Sequence, residues 1–325
     1  MASGQNLRYV LVVIISHEAD ITRRAALALG GAVLLAGAGL AACRSARAGA
    51  LTAARRDIVK RASSHGVGIA YEEHGPQSGP TLLCLPGWCS NRTLFTPFVE
   101  LVAARRRVLA LDWRGHGDSD RPSHDFGMPE LVQDALAIVA ASGADQIVPL
   151  AVSHAGWVAI ELRRRMADRV PALVFLDWLV LDPPPPFTDA LRALQDAARW
   201  RHTRDQLFAM WLTGAPAPVA EQIRREMGAY GFEMWSRAGR EIAAAYSRHG
   251  SPLRLLSAMP PAPALHLYAQ PRDAGVLDAQ EEFARRHPWF TVRRLDASSH
   301  FPVLEIPRVT AAAIEAFLDK ELSAR

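Results

Sequence analysis

The chain carries Val152-Ser153-His154-Ala155-Gly156-Trp157, in which a serine stands between a strand-like and a helix-like segment. The apolar run at residues 147–152 is typical of a short buried strand, and residues 157–165 have the pattern of the helix that follows. Small residues stand two positions on either side of the serine, because larger side chains would collide in so tight a turn. The stretch therefore predicts a nucleophile elbow, which exposes its serine at one end of a strand.

Strand-like and helix-like segments alternate around this turn. Residues 58–62 and 67–73 predict a hairpin, and strands separated by amphipathic helices favour a mainly parallel sheet with helices on both faces. The alternation predicts an α/β fold with an eight-stranded sheet. Six further strands are predicted at residues 81–85, 107–111, 147–152, 172–176, 264–269 and 291–295. Helices are predicted near residues 94–103, 129–141, 157–165, 279–286 and 309–322.

The regular alternation breaks between residues 182 and 263. Prolines cluster at both ends of this interval, at 183–186 and 260–263, and such clusters are typical of linkers. Helix-like segments rich in aromatic residues fill the interval. They carry Trp200, Trp211, Tyr230, Phe232 and Trp235. The pattern predicts a helical cap at residues 182–263, inserted into a core formed by residues 57–181 and 264–325.

The amino-acid composition favours a globular protein and argues against several classes of ligand. Half of the 325 residues are hydrophobic and 22% are charged, which is typical of a globular chain. The net charge is +4, but the arginines are scattered rather than clustered with aromatic residues, which argues against nucleic-acid binding. The sequence has no Cys and His cluster with metal-ligand spacing and no glycine-rich phosphate loop. Cys84 and Cys89 are expected to be two free thiols.

The first fifty residues resemble an export signal. Thr22-Arg23-Arg24 precedes an uncharged stretch at residues 25–40 that is rich in Ala, Leu and Gly. Twin arginines before a short apolar core resemble a Tat signal, and Leu40-Ala41-Ala42-Cys43 resembles a lipobox. We therefore expect an exported lipoprotein, with membrane attachment through a lipidated Cys43.

Alternatives to this export hypothesis remain open. Ala46-Arg47-Ala48 offers a soluble cleavage site, and the absence of a working signal would leave the protein in the cytoplasm. A membrane span is disfavoured because residues 25–40 are fewer than the roughly 20 apolar residues that a span needs. Residues 1–20 are unusual ahead of such a signal, and an upstream extension of the reading frame is one explanation.

Loops after the predicted strands carry the candidate chemistry, since ligands of open α/β sheets bind at the carboxyl ends of the strands. The loop after the first parallel strand contains Gly87 and Trp88, whose amide can pair with the His154 amide to stabilise an oxyanion. His300 follows the last strand, where it can face the elbow. Its position makes it the candidate base among the 11 histidines of the chain.

The carboxylate partner of this base has two candidates. Asp273 follows the seventh strand, the usual place for a hydrolase acid in the order Ser, Asp, His. Asp177 follows the sixth strand in an apolar setting, where a carboxylate is costly unless it is paired. An imidazolium would supply that pair, so Asp177 is preferred. The charged loop at residues 112–119 is interpreted as structural.

Together these motifs resemble the cofactor-independent 3-hydroxy-4-oxoquinoline (quinaldine) 2,4-dioxygenases, an offshoot of the α/β-hydrolase fold. The resemblance runs from about Thr81 to the C-terminus and includes the cap. In the core it rests on Gly87-Trp88-Cys89, Trp113-Arg114-Gly115-His116-Gly117, Val152-Ser153-His154 with Gly156-Trp157, Asp177-Trp178-Leu179 and His300-Phe301-Pro302. In and beyond the cap it rests on Leu207-Phe208, Trp211-Leu212, Gly250-Ser251-Pro252 and His287-Pro288-Trp289-Phe290.

The resemblance implies ring cleavage of a small aromatic substrate by O₂, without a metal, a flavin or another cofactor. It implies that His300 removes the 3-hydroxyl proton of the substrate and that Asp177 stabilises the imidazolium. Ser153 would then bind the substrate without attacking it. His154 and the Trp88 amide would stabilise negative charge on the ring carbonyl oxygen, and Trp211 would line a flat aromatic pocket.

One departure from the family pattern and two alternative interpretations remain open. Some family members have a histidine where this chain has Ser90, so the polar contact at that position is in question. A serine hydrolase with Ser153 as nucleophile, His300 as base, and Asp273 or Asp177 as acid is the first alternative. The second is a non-catalytic protein that binds a small aromatic ligand under its cap, but pure binding does not require this set of residues.

Overall fold

The computed structural model describes residues 59–322. The predicted export segment, including Cys43, lies outside these residues. The described part contains one eight-stranded sheet in the order β1-β2-β4-β3-β5-β6-β7-β8. The strands are β1 (Lys60–Ser64), β2 (Val67–His74), β3 (Thr81–Leu85), β4 (Val108–Leu111), β5 (Ile147–Val152), β6 (Leu173–Leu176), β7 (Ala264–Tyr268) and β8 (Phe290–Arg294).

Strand direction follows from the connections. β1 and β2 form the predicted hairpin and, like β2 and β4, pair antiparallel. All other neighbours pair parallel, from β4 through β3, β5, β6 and β7 to β8. Every residue of β3, β5 and β6 is buried, as expected for parallel strands that are covered on both faces. The predicted α/β-hydrolase fold with its mostly parallel eight-stranded sheet is confirmed.

Eleven α-helices lie within residues 59–322, five of them between β6 and β7 where the sequence predicts the cap. Short 3-10 turns occur at Arg92–Phe95, Ser153–Ala155 and Ala167–Arg169. The six helices outside that interval are α1 (Thr96–Val102), α2 (Met128–Ser142), α3 (Gly156–Arg165), α9 (Ala274–Arg286), α10 (Pro302–Glu305) and α11 (Pro307–Leu322). Those inside it are α4 (Pro185–Leu194), α5 (Trp200–Trp211), α6 (Ala217–Gly228), α7 (Phe232–His249) and α8 (Pro252–Ser257).

Helix limits differ from the sequence prediction at two places, for local reasons. The helix predicted at 94–103 begins as a 3-10 turn, because the side chain of Asn91 accepts a hydrogen bond from the amide of Thr93. The helix predicted at 279–286 begins earlier, at Ala274, because the side chain of Asp273 accepts from the amide of Gly275 and caps it. None of the helices between residues 59 and 322 combines the length and apolarity that a membrane span requires.

The charged loop after β4 braces the core, as its structural interpretation predicts. The guanidinium of Arg92 contacts both Asp112 and Asp118, and Arg114 pairs with Asp134 on α2. Except for the exposed Asp118, these charges are buried or nearly so, and each is paired, which offsets the cost of removing the buried ones from water. The loop is therefore held against β3 and α2 and leaves the catalytic chemistry to other residues.

Both cysteines of the described residues are free and buried. Cys84 lies in β3 and Cys89 in the loop that follows it. Burial raises the pKa of each thiol far above its usual value, since a thiolate would lose its hydration there. The two thiols therefore stay protonated and take no part in nucleophilic chemistry.

Three buried histidines make the stability of the fold sensitive to acid. Burial lowers the pKa of His116 and His266 to about 4 and that of His154 to about 3, from an ordinary value of 6.5. The geometry agrees, because Nε2 of His116 accepts from the amide of Cys89 and Nε2 of His266 accepts from that of Trp178. A nitrogen that accepts such a bond carries no proton, so these rings are neutral.

We expect the free energy of unfolding to fall as the pH drops below 6.5, because the unfolded chain takes up protons that the folded chain excludes. At pH 5 each of the three histidines accounts for a loss of about 2 kcal/mol relative to pH 8. Urea titrations at pH 8, 6.5 and 5 measure this loss. The variant His116→Asn should lose less on acidification than the wild type, and equal losses in the two proteins would contradict the assignment.

Candidate active site

The serine turn has the geometry of a nucleophile elbow. Ser153 follows β5 with a φ of 53°, and the chain then enters α3 through a 3-10 turn. A Cβ atom at Gly156 would lie 2.3 Å from the Trp178 ring, so only glycine fits where α3 begins. The loop after β3 packs over the turn, since a Cβ atom at Gly87 would lie 3.6 Å from the Ser153 Cβ. The hydroxyl is thus set at the carboxyl edge of the sheet.

Strained backbone is concentrated at this edge. Cys89, Ser153 and Asp177 have φ values of 60°, 53° and 46°, and they follow β3, β5 and β6, which are neighbours in the sheet. A left-handed residue other than glycine costs about 1–3 kcal/mol and persists only where the surrounding structure holds it. His65, in the β1–β2 turn, is the fourth such residue in the described part of the chain. The clustering of the other three marks one functional site.

A carboxylate–imidazole pair lies beside the elbow. Nδ1 of His300 donates to Oδ1 of Asp177 at 2.7 Å. Oδ2 of the same carboxylate accepts from the amides of Ala269 at 2.6 Å and Gln270 at 3.3 Å. The Asp177 side chain is 1% exposed and that of His300 is 14% exposed. Both oxygens of this buried carboxylate accept from donors, so neither is left without a partner.

This pairing decides which nitrogen of His300 can act as a base. Because Asp177 accepts from Nδ1–H, the neutral ring carries its proton on Nδ1 and leaves the lone pair of Nε2 free. Among residues 59–322, Nε2 has no hydrogen-bond partner, and the hydroxyl of Ser153 does not bond to it. Nε2 of His300 is thus available to take a proton from a ligand in the adjoining cavity.

The second acid candidate is placed elsewhere. The Asp273 side chain caps α9 by accepting from the amide of Gly275 at 2.8 Å, and it is exposed. The structure thus brings Asp177, and not Asp273, against His300.

A small closed cavity of about 50 Å³ separates the core from the cap above this pair. Core residues supply its polar wall and helices α4 to α7 supply an aliphatic and aromatic wall. The core wall is formed by Gly87, Trp88, Ser90, Leu94, Val152, Ser153, His154, His300 and Phe301. The cap wall is formed by Phe187, Ala190, Leu191, Leu194, Leu207, Trp211, Met227, Trp235, Ala238 and Ile242. A few polar groups facing a mostly apolar wall are typical of a site for a flat, partly apolar ligand.

Three residues that line the cavity carry a buried polar atom without a partner among residues 59–322, namely Ser90, His154 and, through Nε1 of its indole, Trp235. Neither the Ser90 hydroxyl nor Nδ1 of His154 makes a hydrogen bond within residues 59–322, although both are buried. Burial, and the nearby His300, lower the pKa of His154 to about 3, so its ring is neutral and acts by hydrogen bonding and not by charge. Its ring is held between Phe187 and Tyr246. Unsatisfied buried groups of this kind point to a polar ligand.

Trp211 joins the cap to the His300–Asp177 pair. Its indole stacks on the His300 ring, with 5.3 Å between centroids and 16° between planes. Its carbonyl oxygen accepts from the His300 amide at 2.9 Å. Trp88, whose amide is the predicted oxyanion donor, stacks its ring on Phe126 at 6.0 Å on the core side of the cavity. The predicted site residues Ser153, His154, Asp177, Trp211 and His300, together with Trp88, are therefore brought to one place.

Comparison with known proteins agrees with this architecture. Residues 80–215 match the family model of the alpha/beta hydrolase fold. A 2-heptyl-3-hydroxy-4(1H)-quinolone dioxygenase of Mycobacteroides abscessus is 38% identical over 252 residues, which are 76% of this chain and 93% of that protein. The chain belongs to the 3-hydroxy-4-quinolone dioxygenase family. The 1H-3-hydroxy-4-oxoquinoline 2,4-dioxygenase of Pseudomonas putida is 37% identical and is matched over 97% of its length.

Structural similarity places this quinolone dioxygenase family member beside enzymes solved with ligands. An AqdC variant in complex with its substrate, studied for ring cleavage of the Pseudomonas quinolone signal, superposes with a TM-score of 0.77 at 35% identity. The match covers 80% of this chain and 98% of the AqdC chain. The likeness thus spans core and cap, which together form the cavity.

The sequence motifs do not identify two residues that contact the site of this quinolone dioxygenase family member. Gln270 bonds to Asp177 through its backbone, and Glu305 accepts from the amides of Ser298 and Ser299 just before His300. Gln270 acts through its backbone amide on a carboxylate that is 93 residues away, whereas the Glu305 side chain binds amides that are six and seven residues away. No local sequence pattern predicts these contacts, although both residues lie close to motifs that carry candidate site residues.

Proposed function

We propose that this protein is a cofactor-free dioxygenase that cleaves 2-alkyl-3-hydroxy-4(1H)-quinolones with O₂ to an N-acylanthranilate and carbon monoxide. The observation that carries the proposal is the His300–Asp177 pair, whose free Nε2 faces a cavity with aromatic walls. Its likeness to quinolone dioxygenases along nearly their whole length supports the same conclusion.

The geometry of the site is best suited to deprotonation of the substrate. O₂ is a triplet and reacts slowly with closed-shell molecules, so the substrate must first become electron-rich. His300 Nε2 takes the proton of the 3-hydroxyl group, and the imidazolium is stabilised by Asp177 on its other side. The substrate anion then donates an electron to O₂. Overall, both atoms of O₂ enter the N-acylanthranilate, while C3 leaves with its own oxygen as carbon monoxide, so atoms and electrons balance.

The remaining polar groups hold the substrate. The Ser153 hydroxyl binds the ring without attacking it, and the amides of Trp88 and His154 donate to the carbonyl oxygen as it gains negative charge. Because the His154 ring is neutral, it contributes a hydrogen bond and no positive charge to this oxygen. Ser90 is buried in the cavity wall with a free hydroxyl and offers a further polar contact.

In the proposed complex the 2-alkyl chain of the substrate packs against the cap. Leu191, Leu194, Leu207, Met227 and Ile242 form an aliphatic wall from four helices. A cavity of about 50 Å³ is far smaller than the roughly 300–1,000 Å³ of typical ligand sites. We infer that the cap helices move away from the core when the substrate enters and then close over it, excluding water during the reaction.

Gas measurements test the proposal. Purified protein with a 2-alkyl-3-hydroxy-4(1H)-quinolone should consume one O₂ and release one CO for each substrate molecule, with N-acylanthranilate as the organic product. Prior treatment with a chelator should leave the rate unchanged. If no quinolone of any chain length supported O₂ uptake, the proposal would be wrong.

Ser153→Ala separates this function from a serine hydrolase. In a dioxygenase the change removes one substrate hydrogen bond, and we expect a loss of about tenfold at most. In a hydrolase it removes the nucleophile, which costs about 10³-fold or more of the turnover. The rates of CO release and of aryl-ester hydrolysis, measured on wild type and variant, distinguish the two. Quinolone cleavage that disappears in Ser153→Ala would contradict the assigned role of the hydroxyl.

We further propose that the protein is exported and anchored through a lipidated Cys43, on the sequence evidence of twin arginines, a short apolar core and a lipobox-like stretch. In cells that express the full chain, Cys43→Ala should move the protein from the detergent phase to the aqueous phase on partitioning. Unchanged partitioning would count against lipidation. Partitioning into the aqueous phase by the wild type, with activity only in the cytosolic fraction, would count against export as well.

A further inference from the structure

The Gln270 side chain lies at a junction of three parts of the site. Its amide nitrogen donates to the Ser298 carbonyl at 2.6 Å, and it also lies 3.3 Å and 3.4 Å from the carbonyls of Met210 and Trp211. Three carbonyl oxygens around one atom require that atom to be the NH₂ group, because an oxygen there would find no donor. The side chain thus donates to the cap and to the loop of His300 simultaneously.

The Gln270 backbone reaches the catalytic pair as well. Its amide donates to Oδ2 of Asp177, the oxygen that does not contact His300. Met210 and Trp211 are the last residues of α5; the Met210 carbonyl also accepts from the amide of Thr213 at 3.3 Å just past the helix, and the Trp211 carbonyl has no partner inside the helix. Gln270 therefore closes the C-terminus of a cap helix from the core side. The same helix end receives the His300 amide on the Trp211 carbonyl.

We infer that Gln270 is a positioning residue that couples closure of the cap to the alignment of the His300–Asp177 pair. When the cap is closed, α5 holds the Trp211 ring against the His300 ring, and Gln270 fixes that helix end to Ser298 and Asp177. When the cap opens, the bonds from Gln270 to α5 and from His300 to Trp211 must break together. The base is then aligned for proton transfer only while the substrate is enclosed.

Glu305 provides the comparison that isolates this coupling. Its carboxylate accepts from the amides of Ser298 and Ser299 at 2.8 Å and 2.7 Å, so it holds the His300 loop from the core without touching the cap. Loosening the loop through Glu305 should disturb the base alone. Loosening it through Gln270 should disturb the base and the cap wall together.

The kinetic test rests on the proposed function and uses three variants of the site together with one control variant. Gln270→Ala should lower kcat/KM about 10²-fold through both a lower kcat and a higher KM, since a displacement near 1 Å can cost that much. Gln270→Glu keeps the size of the side chain but sets a carboxylate against three carbonyls, so it should be slower still. Glu305→Gln should lower kcat and leave KM unchanged. Gln195→Ala, which removes a cap glutamine whose side chain bonds to the Leu191 carbonyl, should match the wild type.

A merely structural role for Gln270 predicts a different pattern. Gln270→Glu would then restore wild-type kinetics by filling the same space, or Gln270→Ala would lower the melting temperature and leave kcat and KM unchanged. Either outcome would overturn the inference.

Hydrogen exchange tests the coupling without turnover. The His300 amide should exchange faster in Gln270→Ala than in wild type, at a temperature where both are folded, because its acceptor is the Trp211 carbonyl at the freed helix end. Equal exchange at His300 would contradict the coupling. Faster exchange in a protein that cleaves no quinolone would leave the coupling standing and overturn the proposed function instead.

Discussion

Replacement of His300 by alanine is expected to lower the rate of quinolone cleavage by about 10⁴-fold, the upper end of what a general base contributes. In the proposed mechanism Nε2 of His300 accepts the 3-hydroxyl proton, so without this nitrogen the substrate would stay protonated and would react slowly with O₂. Substrate binding should change little, since the cavity walls are otherwise intact. Steady-state O₂ consumption over a range of substrate concentrations measures kcat and KM separately.

The His300→Ala prediction has an internal check in chemical rescue. The lost ring leaves a gap between the Trp211 indole and the Asp177 carboxylate, so added imidazole should recover part of the rate. His202→Ala, which removes an exposed histidine of α5, should behave as the wild type. Cleavage by His300→Ala within tenfold of the wild-type rate would show that another group removes the proton.

Asp177→Asn is expected to cost about 10³-fold or more, because an amide cannot satisfy both sides of this carboxylate. If its oxygen faces His300, its NH₂ group meets the amide of Ala269, which lies 2.6 Å from the present Oδ2, and two donors collide. If it is turned over, its NH₂ group donates to Nδ1 and forces the proton onto Nε2. The base is then in the wrong tautomer, and kcat falls while the substrate still binds.

Asp273→Asn is the matched control for this change. It alters the same residue type in the loop after β7, and asparagine caps a helix about as well as aspartate. Its cleavage rate should equal that of the wild type. A large loss in Asp273→Asn together with a small loss in Asp177→Asn would reverse the assignment of the carboxylate and revive the order expected of ordinary hydrolases.

The sheet was largely predictable because its strands are buried on both faces. The runs at 81–85 and 147–152 are uninterrupted in β-branched and apolar residues apart from Pro149, and their limits agree with β3 and β5. Prediction was less accurate at helix starts, where a single side chain decides the boundary. The capping of α9 by Asp273 is such a case.

The site was predictable where one residue type must stand at one turn. Small neighbouring residues identify Ser153 in the sequence, and its place after the last strand identifies His300. The left-handed backbone of Asp177 has no such signal, since aspartate occurs in many turns. The role of Gln270 could not be predicted for another reason. Its side chain contacts backbone carbonyls that are 28 and 60 residues away, and a backbone carbonyl carries no sequence information.

The buried thiols of Cys84 and Cys89 affect which redox environments the protein tolerates. A thiol that stays protonated inside the core reacts slowly with oxidants and exchanges slowly with disulfides, because both reactions require the thiolate at the surface. Neither oxidising surroundings nor stray reduced oxygen from its own reaction should modify these two side chains. These two cysteines therefore set no redox requirement on the compartment, and the proposed export would not expose them to oxidation.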